Sequence, residues 1–85
     1  MSHDEQHAMS TADKLVYMAN QIASFFASQP KDEAAAGVAK HINDYWEPRM
    51  RRQFFEIAEA GNKAISPLVL EALPKIRRPT TSNIK

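Results

Sequence analysis

The chain contains no cysteine. That absence excludes disulfides, zinc ribbons, iron–sulfur ligation and a thiol nucleophile together, and nothing asks for an oxidising compartment. Glycine is almost missing too. Gly37 and Gly61 are the only two, 24 positions apart, so no glycine-rich loop is available to cradle a phosphate. No apolar run approaches the ~18 residues of a membrane span. Residues 1–5 are polar and acidic, unlike the basic-then-apolar start of a secretory signal. Together these absences set the expectation of a cytoplasmic protein with no membrane partner. The net charge of +1 is too small to indicate a nucleic-acid partner from the total.

What is present suffices for one small domain of 85 residues, and the 44% hydrophobic and 25% charged content is that of a globular chain rather than a disordered one. The charge is polarised along the sequence. Residues 1–47 carry Lys14, Lys31 and Lys40 against seven acids, a balance of −4; residues 48–85 carry eight bases against three acids, a balance of +5. The sign changes at Glu47-Pro48, where a basic cluster begins, and such a surface can orient a charged partner.

Periodicity and punctuation predict helices throughout. Residues 1–10 are polar without an apolar period and read as a flexible arm. Ser10-Thr11-Ala12-Asp13 supplies a capping hydroxyl and a first-turn acid. A helix over about 11–28 follows, in which Ala19, Ile22 and Phe26 fall within about 40° of Leu15, with Met18 and Phe25 at one edge. Tyr17, Asn20, Gln21 and Ser24 take the far side. Pro30 and the acids Asp32 and Glu33 restart the chain into a second helix ending near Trp46. There Ala34, Ala35, Val38, Ile42, Tyr45 and Trp46 share an arc of about 120°. Pro48 opens a third helix striped by Met50, Phe54, Ile57 and Ala58 and stopped at Gly61-Asn62. On its exposed turns Arg52–Glu56 and Glu59–Lys63 are spaced for ion pairs. Ser66-Pro67 opens a short fourth helix over 67–73, closed by Pro74. Residues 74–85 are basic, contain proline and read as an extended tail. The expected fold is all-α: a small up-and-down bundle of three to four helices over residues 11–73, with an arm before it and a tail after it.

Catalytic constellations are scarce. His3 and His7 are four apart, but they lie outside any helical pattern and have no third ligand, so they read as part of a solvated arm. His41 falls at the edge of the second helix's apolar arc and reads as a packing residue, because spacing fixes no carboxylate beside it. Serine, threonine and aspartate stand mostly where caps and turns need them. An autonomous active site is not expected.

Large apolar residues, by contrast, are in surplus. Phe25-Phe26, Tyr45-Trp46 and Phe54-Phe55 are adjacent pairs, and helical neighbours diverge by about 100°. Phe55 sits about 140° from Met50, near Arg51 and off the apolar stripe, which predicts an outward-facing contact worth ~1.5–3 kcal/mol if a partner buries it. Phe25 and Tyr45 lie at margins that a wide stripe or the tail could equally cover. The run Trp46-Glu47-Pro48-Arg49-Met50-Arg51-Arg52-Gln53 joins two helices and sets three guanidiniums beside aromatic rings. Arginine at a helix start opposes the helix dipole, so these three do not serve helix stability, and each can clasp a carboxylate or a phosphate. Arg77-Arg78 would extend the patch.

Residues 18–26 (Met-Ala-Asn-Gln-Ile-Ala-Ser-Phe-Phe), 34–43 (Ala-Ala-Ala-Gly-Val-Ala-Lys-His-Ile-Asn) and 46–52 (Trp-Glu-Pro-Arg-Met-Arg-Arg) resemble the small delta subunit of NAD-dependent, molybdenum-containing formate dehydrogenases. Ser66-Pro67-Leu68-Val69 with Ala72-Leu73 is similar to that family's closing segment, so the resemblance spans about residues 15–73. It implies a non-catalytic subunit of a cytoplasmic complex that oxidises formate to carbon dioxide and reduces NAD. The bis-molybdopterin guanine dinucleotide, iron–sulfur clusters and FMN would belong to the larger subunits, and this chain would hold none of them. Its implied partner is the molybdenum-carrying catalytic alpha subunit, and through it the beta and gamma subunits. Docking there would support assembly, stability or cofactor acquisition. Combined with the aromatic and arginine surplus, this gives Phe25, Trp46, Glu47, Arg49, Arg51, Arg52 and Phe55 as expected partner-binding residues. A different class of function uses the same arginines: a small helical regulator binding nucleic acid through Arg49, Arg51 and Arg52, which the near-neutral total and acidic first half disfavour. Handling of the phosphate-rich pterin dinucleotide during maturation is a third use of them.

Overall fold

Ser10 sets the start of the first helix: its side-chain oxygen accepts the Asp13 backbone N–H at 3.0 Å, and Asp13 stands in the electropositive first turn. The computed structural model describes residues 10–79, and the arm over residues 1–9 and the last six residues lie outside them. Helix α1 runs Thr11–Phe26, α2 Lys31–Tyr45, α3 Pro48–Glu59 and α4 Pro67–Ala72, followed by a 3-10 turn over Leu73–Lys75. The fold is all-α, with no strand among the described residues.

Each boundary has a local cause. Pro30 occupies the cap position of α2, and Asp32 and Glu33 follow it near the helix dipole's positive end. Trp46 and Glu47 are extended, as the residues leading into a proline favour, and Pro48 takes the first position of α3, where its missing N–H costs nothing. Gly61 ends that helix at φ +86°, a conformation that a Cβ would oppose. Ser66 caps α4 by accepting the Val69 N–H at 3.4 Å. Pro74 does not end the chain's helical character; it lies inside the 3-10 turn that extends α4.

Helix α2 is central, packed against α1, α4 and the 3-10 turn, while α3 packs against α1. The close approaches are made by alanines: Ala19, Ala23, Ala34, Ala35, Ala39 and Ala72 are all buried. Larger side chains fill the rest of the core, with Leu15, Val16, Val38, Ile42, Phe54, Ile65, Val69 and Ile76 buried among them. On α1 the apolar stripe is rotated from the expected centre on Leu15 toward Val16 and Ala23. Both are buried, and Met18 and Phe25 are left outside. This rotation brings Asn20, expected on the solvent side, to the stripe's edge.

The second and third helices also differ from expectation. Tyr45, placed in the apolar arc of α2, is 73% exposed, because it is the last helical residue and the chain turns Trp46 inward instead. Its ring lies 4.8 Å from that of His41. Phe55 does not face outward. It is only 6% exposed, and Trp46 likewise. Adjacent rings on α3 are both buried because the core reaches two sides of that helix. Phe54 meets Trp46 edge-on, with ring centroids 5.7 Å apart, while Phe55 is covered by residues after the fourth helix. The expected ion pairs within α3 are not made among the described residues, and Glu59 binds Arg78 rather than Lys63.

Candidate functional site

Two asparagines do the same work at different places, and the second leads to the residues that cover Phe55. Asn20, in α1, donates from Nδ2 to the carbonyl of Ala64 at 2.9 Å, and its Oδ1 accepts the N–H of Ser66 at 2.9 Å. Asn43, in α2, donates to the carbonyl of Lys75 at 3.2 Å and accepts the N–H of Arg77 at 2.8 Å. Each carboxamide therefore spans the backbone on either side of one isoleucine, and those isoleucines, Ile65 and Ile76, are both buried. A carboxamide has one acceptor and one donor side, which matches a carbonyl and an N–H two residues apart on one edge of an extended chain. Neither asparagine was identified from the sequence, although asparagine inside a helix is a poor helix former and so carried a signal.

Past Asn43, the segment over residues 76–79 lies on α3. Arg51 donates from Nη1 to the carbonyl of Arg77 at 2.7 Å, while its buried Nε has no hydrogen-bond partner among the described residues. The Arg78 guanidinium sits 4.0 Å from the centre of the Phe55 ring and is hydrogen-bonded and ion-paired to Glu59. Arg51, expected to project toward a partner, is thus half-buried and committed to the chain's own backbone.

The seven expected partner-binding residues therefore divide. Trp46 and Phe55 belong to the core, and Arg51 braces the segment that closes it. Phe25, Glu47, Arg49 and Arg52 remain exposed. Phe25 is 78% exposed, with its ring edge-on to Phe26 at 5.2 Å. Arg49 and Arg52 project from the first turns of α3, whose cap residue Glu47 makes no side-chain capping bond. Among the described residues neither arginine has a carboxylate within ion-pair distance, since the pairs formed are Lys31–Glu71, Lys40–Asp44 and Arg78–Glu59.

An apolar groove of about 540 Å³ lies between the end of α1 and α4, lined by Ala23, Ala27, Ala34 and Leu68 among others. Its charged lining residues, Lys31 and Glu71, are paired at 3.3 Å. On the outer face of α2, the Lys40 Nζ lies 2.7 Å from an Asp44 carboxylate oxygen. That hydrogen bond holds the Asp44 carboxyl below its ordinary range, with the charges of Lys40, Arg77 and His41 adding to it, and raises Lys40 in return. Among the described residues no three histidine, cysteine, aspartate or glutamate side chains come together as metal ligands would.

No curated protein matches the chain. The family described as NADH-dependent formate dehydrogenase delta subunit, FdsD, matches residues 14–73. This range takes in all of α2, α3 and α4 and most of α1, and it stops before the segment that covers Phe55. The chain belongs to the delta-subunit family of the NADH-dependent formate dehydrogenases.

Proposed function

We propose that this chain is a non-catalytic accessory subunit that docks on the molybdenum-carrying catalytic subunit of a cytoplasmic formate dehydrogenase, and through it joins the remaining subunits. The observation that carries this reading is the surface left over once the core is complete. Phe25 keeps 78% of its surface in water although α1 has an apolar stripe available to it. Among the described residues Arg49 and Arg52 have no ion-pair partner, and they stand at a helix start whose dipole opposes them. None of these three side chains belongs to the core. A partner offering an apolar socket and carboxylates gains from both, because aromatic and arginine side chains concentrate binding energy when water is excluded from them. Support of the catalytic subunit's assembly, stability or cofactor acquisition follows from such docking. The cofactors of the complex, bis-molybdopterin guanine dinucleotide, iron–sulfur clusters and FMN, belong on this reading to the larger subunits.

The test is co-purification of the catalytic subunit with tagged Phe25→Ala and Arg49→Glu/Arg52→Glu variants. Both sets of side chains are exposed, so the helical circular dichroism stays that of the parent while the catalytic subunit is lost from the eluate. Full recovery of that subunit with both variants would remove this interface. Trp46 and Phe55 are unsuitable for the experiment, since truncating either opens the core.

A further inference from the structure

The segment over residues 75–78 is held as a peptide is held. Asn43 bonds the main chain at Lys75 and Arg77, and Arg51 bonds it again at the Arg77 carbonyl, so three contacts read backbone and no side chain. Ile76 is in extended conformation and buried, while Arg78, two positions on, lies between the Phe55 ring and the Glu59 carboxylate. Alternate side chains of an extended chain point the same way. The groove therefore presents an aliphatic socket and a cation slot at the spacing of residues i and i+2, with main-chain bonds between them. This is the division of labour by which sheet edges and grooves recognise extended peptides.

Two further observations separate the occupant from its groove. The groove residues Asn43, Arg51, Phe55 and Glu59 lie within the 14–73 range common to the delta-subunit family, and the occupant lies beyond it. The occupant's hydrogen bonds and ion pair are solvent-exposed, leaving Ile76 as its single buried anchor. A segment with one apolar anchor and exposed polar bonds opens at lower free energy than the helices beneath it.

We propose that the groove between α2 and α3 is a peptide-binding site occupied in cis by residues 75–78, and that it accepts in trans an extended partner peptide carrying a branched aliphatic residue followed two positions later by a basic one. Such a peptide competes with a tethered copy of itself. The wild-type chain thus binds it weakly, and any change that releases the tethered segment raises the affinity by the reciprocal of the fraction previously open. This is separate from the exposed surface of Phe25, Arg49 and Arg52, and it holds whether or not that surface docks on a catalytic subunit.

The test uses the full chain carrying Ile76→Asp, which expels the tethered segment, with a synthetic hexapeptide of residues 74–79 as probe. Titration should move the Asn43 side-chain amide and Phe55 ring resonances, with an apparent affinity at least about tenfold above that of the wild-type chain. Adding Asn43→Ala should weaken binding about tenfold, the order expected for main-chain hydrogen bonds lost at a polar site. A hexapeptide with aspartate in place of the isoleucine should move nothing. A helical Ile76→Asp chain that leaves the Asn43 and Phe55 resonances unmoved at millimolar probe overturns the proposal. Hydrogen exchange on the wild-type chain tests it without a variant: the Arg77 amide should exchange at least about tenfold faster than that of Ile42 in α2. Exchange of both at one common rate would make the segment an integral part of the core and overturn the proposal equally.

Discussion

The edge of the Phe26 ring occupies the space that a side chain on Gly37 would need. A Cβ placed on Gly37 would come within 2.6 Å of Phe26 Cε1 and 2.7 Å of Cδ1. This settles why a glycine stands in the middle of α2, where it sacrifices about 1 kcal/mol of helix propensity relative to alanine. Gly37→Ala regains that propensity but overpacks the contact, at about 1–3 kcal/mol, so a net loss of about 1 kcal/mol is expected by urea denaturation. In a Phe26→Ala background the obstruction is gone, and the same substitution should stabilise by up to about 1 kcal/mol. The change of sign between backgrounds is the measurement that decides it. Equal effects in both would mean that the ring does not exclude a side chain there.

Asn20 ties α1 to the loop before α4. Replacing it with alanine removes the bonds to the Ala64 carbonyl and the Ser66 N–H and leaves that partly buried N–H without its acceptor. The expected loss is about 1–2 kcal/mol in chemical denaturation. Asn20→Asp retains the acceptor for Ser66 but sets a carboxylate against the Ala64 carbonyl, so it should recover little of the loss. Gln21→Ala, one position on and exposed, is the control and should stay within about 0.5 kcal/mol of the parent. A matching loss in the control would show that α1 itself, rather than the clamp, had been weakened.

Phe25 and Phe54 should behave as opposites. Phe54 is 1% exposed and meets Trp46 edge-on, so Phe54→Ala removes a full core ring and should cost about 3–5 kcal/mol. Phe25→Ala should cost no more than about 0.5 kcal/mol, because most of the ring is already in water. Thermal denaturation of the two variants side by side measures the contrast. A comparable fall in midpoint for both would mean that Phe25 is covered in solution.

The helices were legible in the sequence because their boundaries depend on neighbours in the chain. Ser10 and Ser66 cap, Pro48 and Pro67 take first positions, and Gly61 turns, all through contacts within a few residues. Phe55 was not legible for the opposite reason. A helical projection sees one helix at a time, and this ring is covered by Arg78 and the residues before it, from about 20 positions away. The same limit hid Asn20 and Asn43, whose partners lie 44 and 46, and 32 and 34, residues along the chain. Of the candidate surface, the exposure of Arg49 and Arg52 followed from local chemistry. The burial of Trp46 and the commitment of Arg51 to the Arg77 carbonyl required the third dimension.

The Lys40–Asp44 pair sets a pH window on the outer face of α2. Asp44 is held below its ordinary carboxyl value first by the hydrogen bond from Lys40, and Lys40 is raised first by the same bond. A lowered carboxyl contributes stability that is complete above its unfolded value of about 3.9 and disappears as pH falls through the folded value. A raised amine contributes stability that is complete below its unfolded value of about 10.4 and disappears as pH rises through the folded value. The pair is therefore intact between those limits and is dismantled first at Asp44 on acidification. Carbon-detected NMR titration should find the Asp44 midpoint below that of a free aspartate. In Lys40→Met the midpoint should rise toward the ordinary value, since the hydrogen bond that lowers it most is gone. Adding 1 M salt to the parent should move it in the same direction, because both groups are exposed and screened. An Asp44 midpoint that is identical in the parent and in Lys40→Met would show that the two side chains do not hold each other in solution.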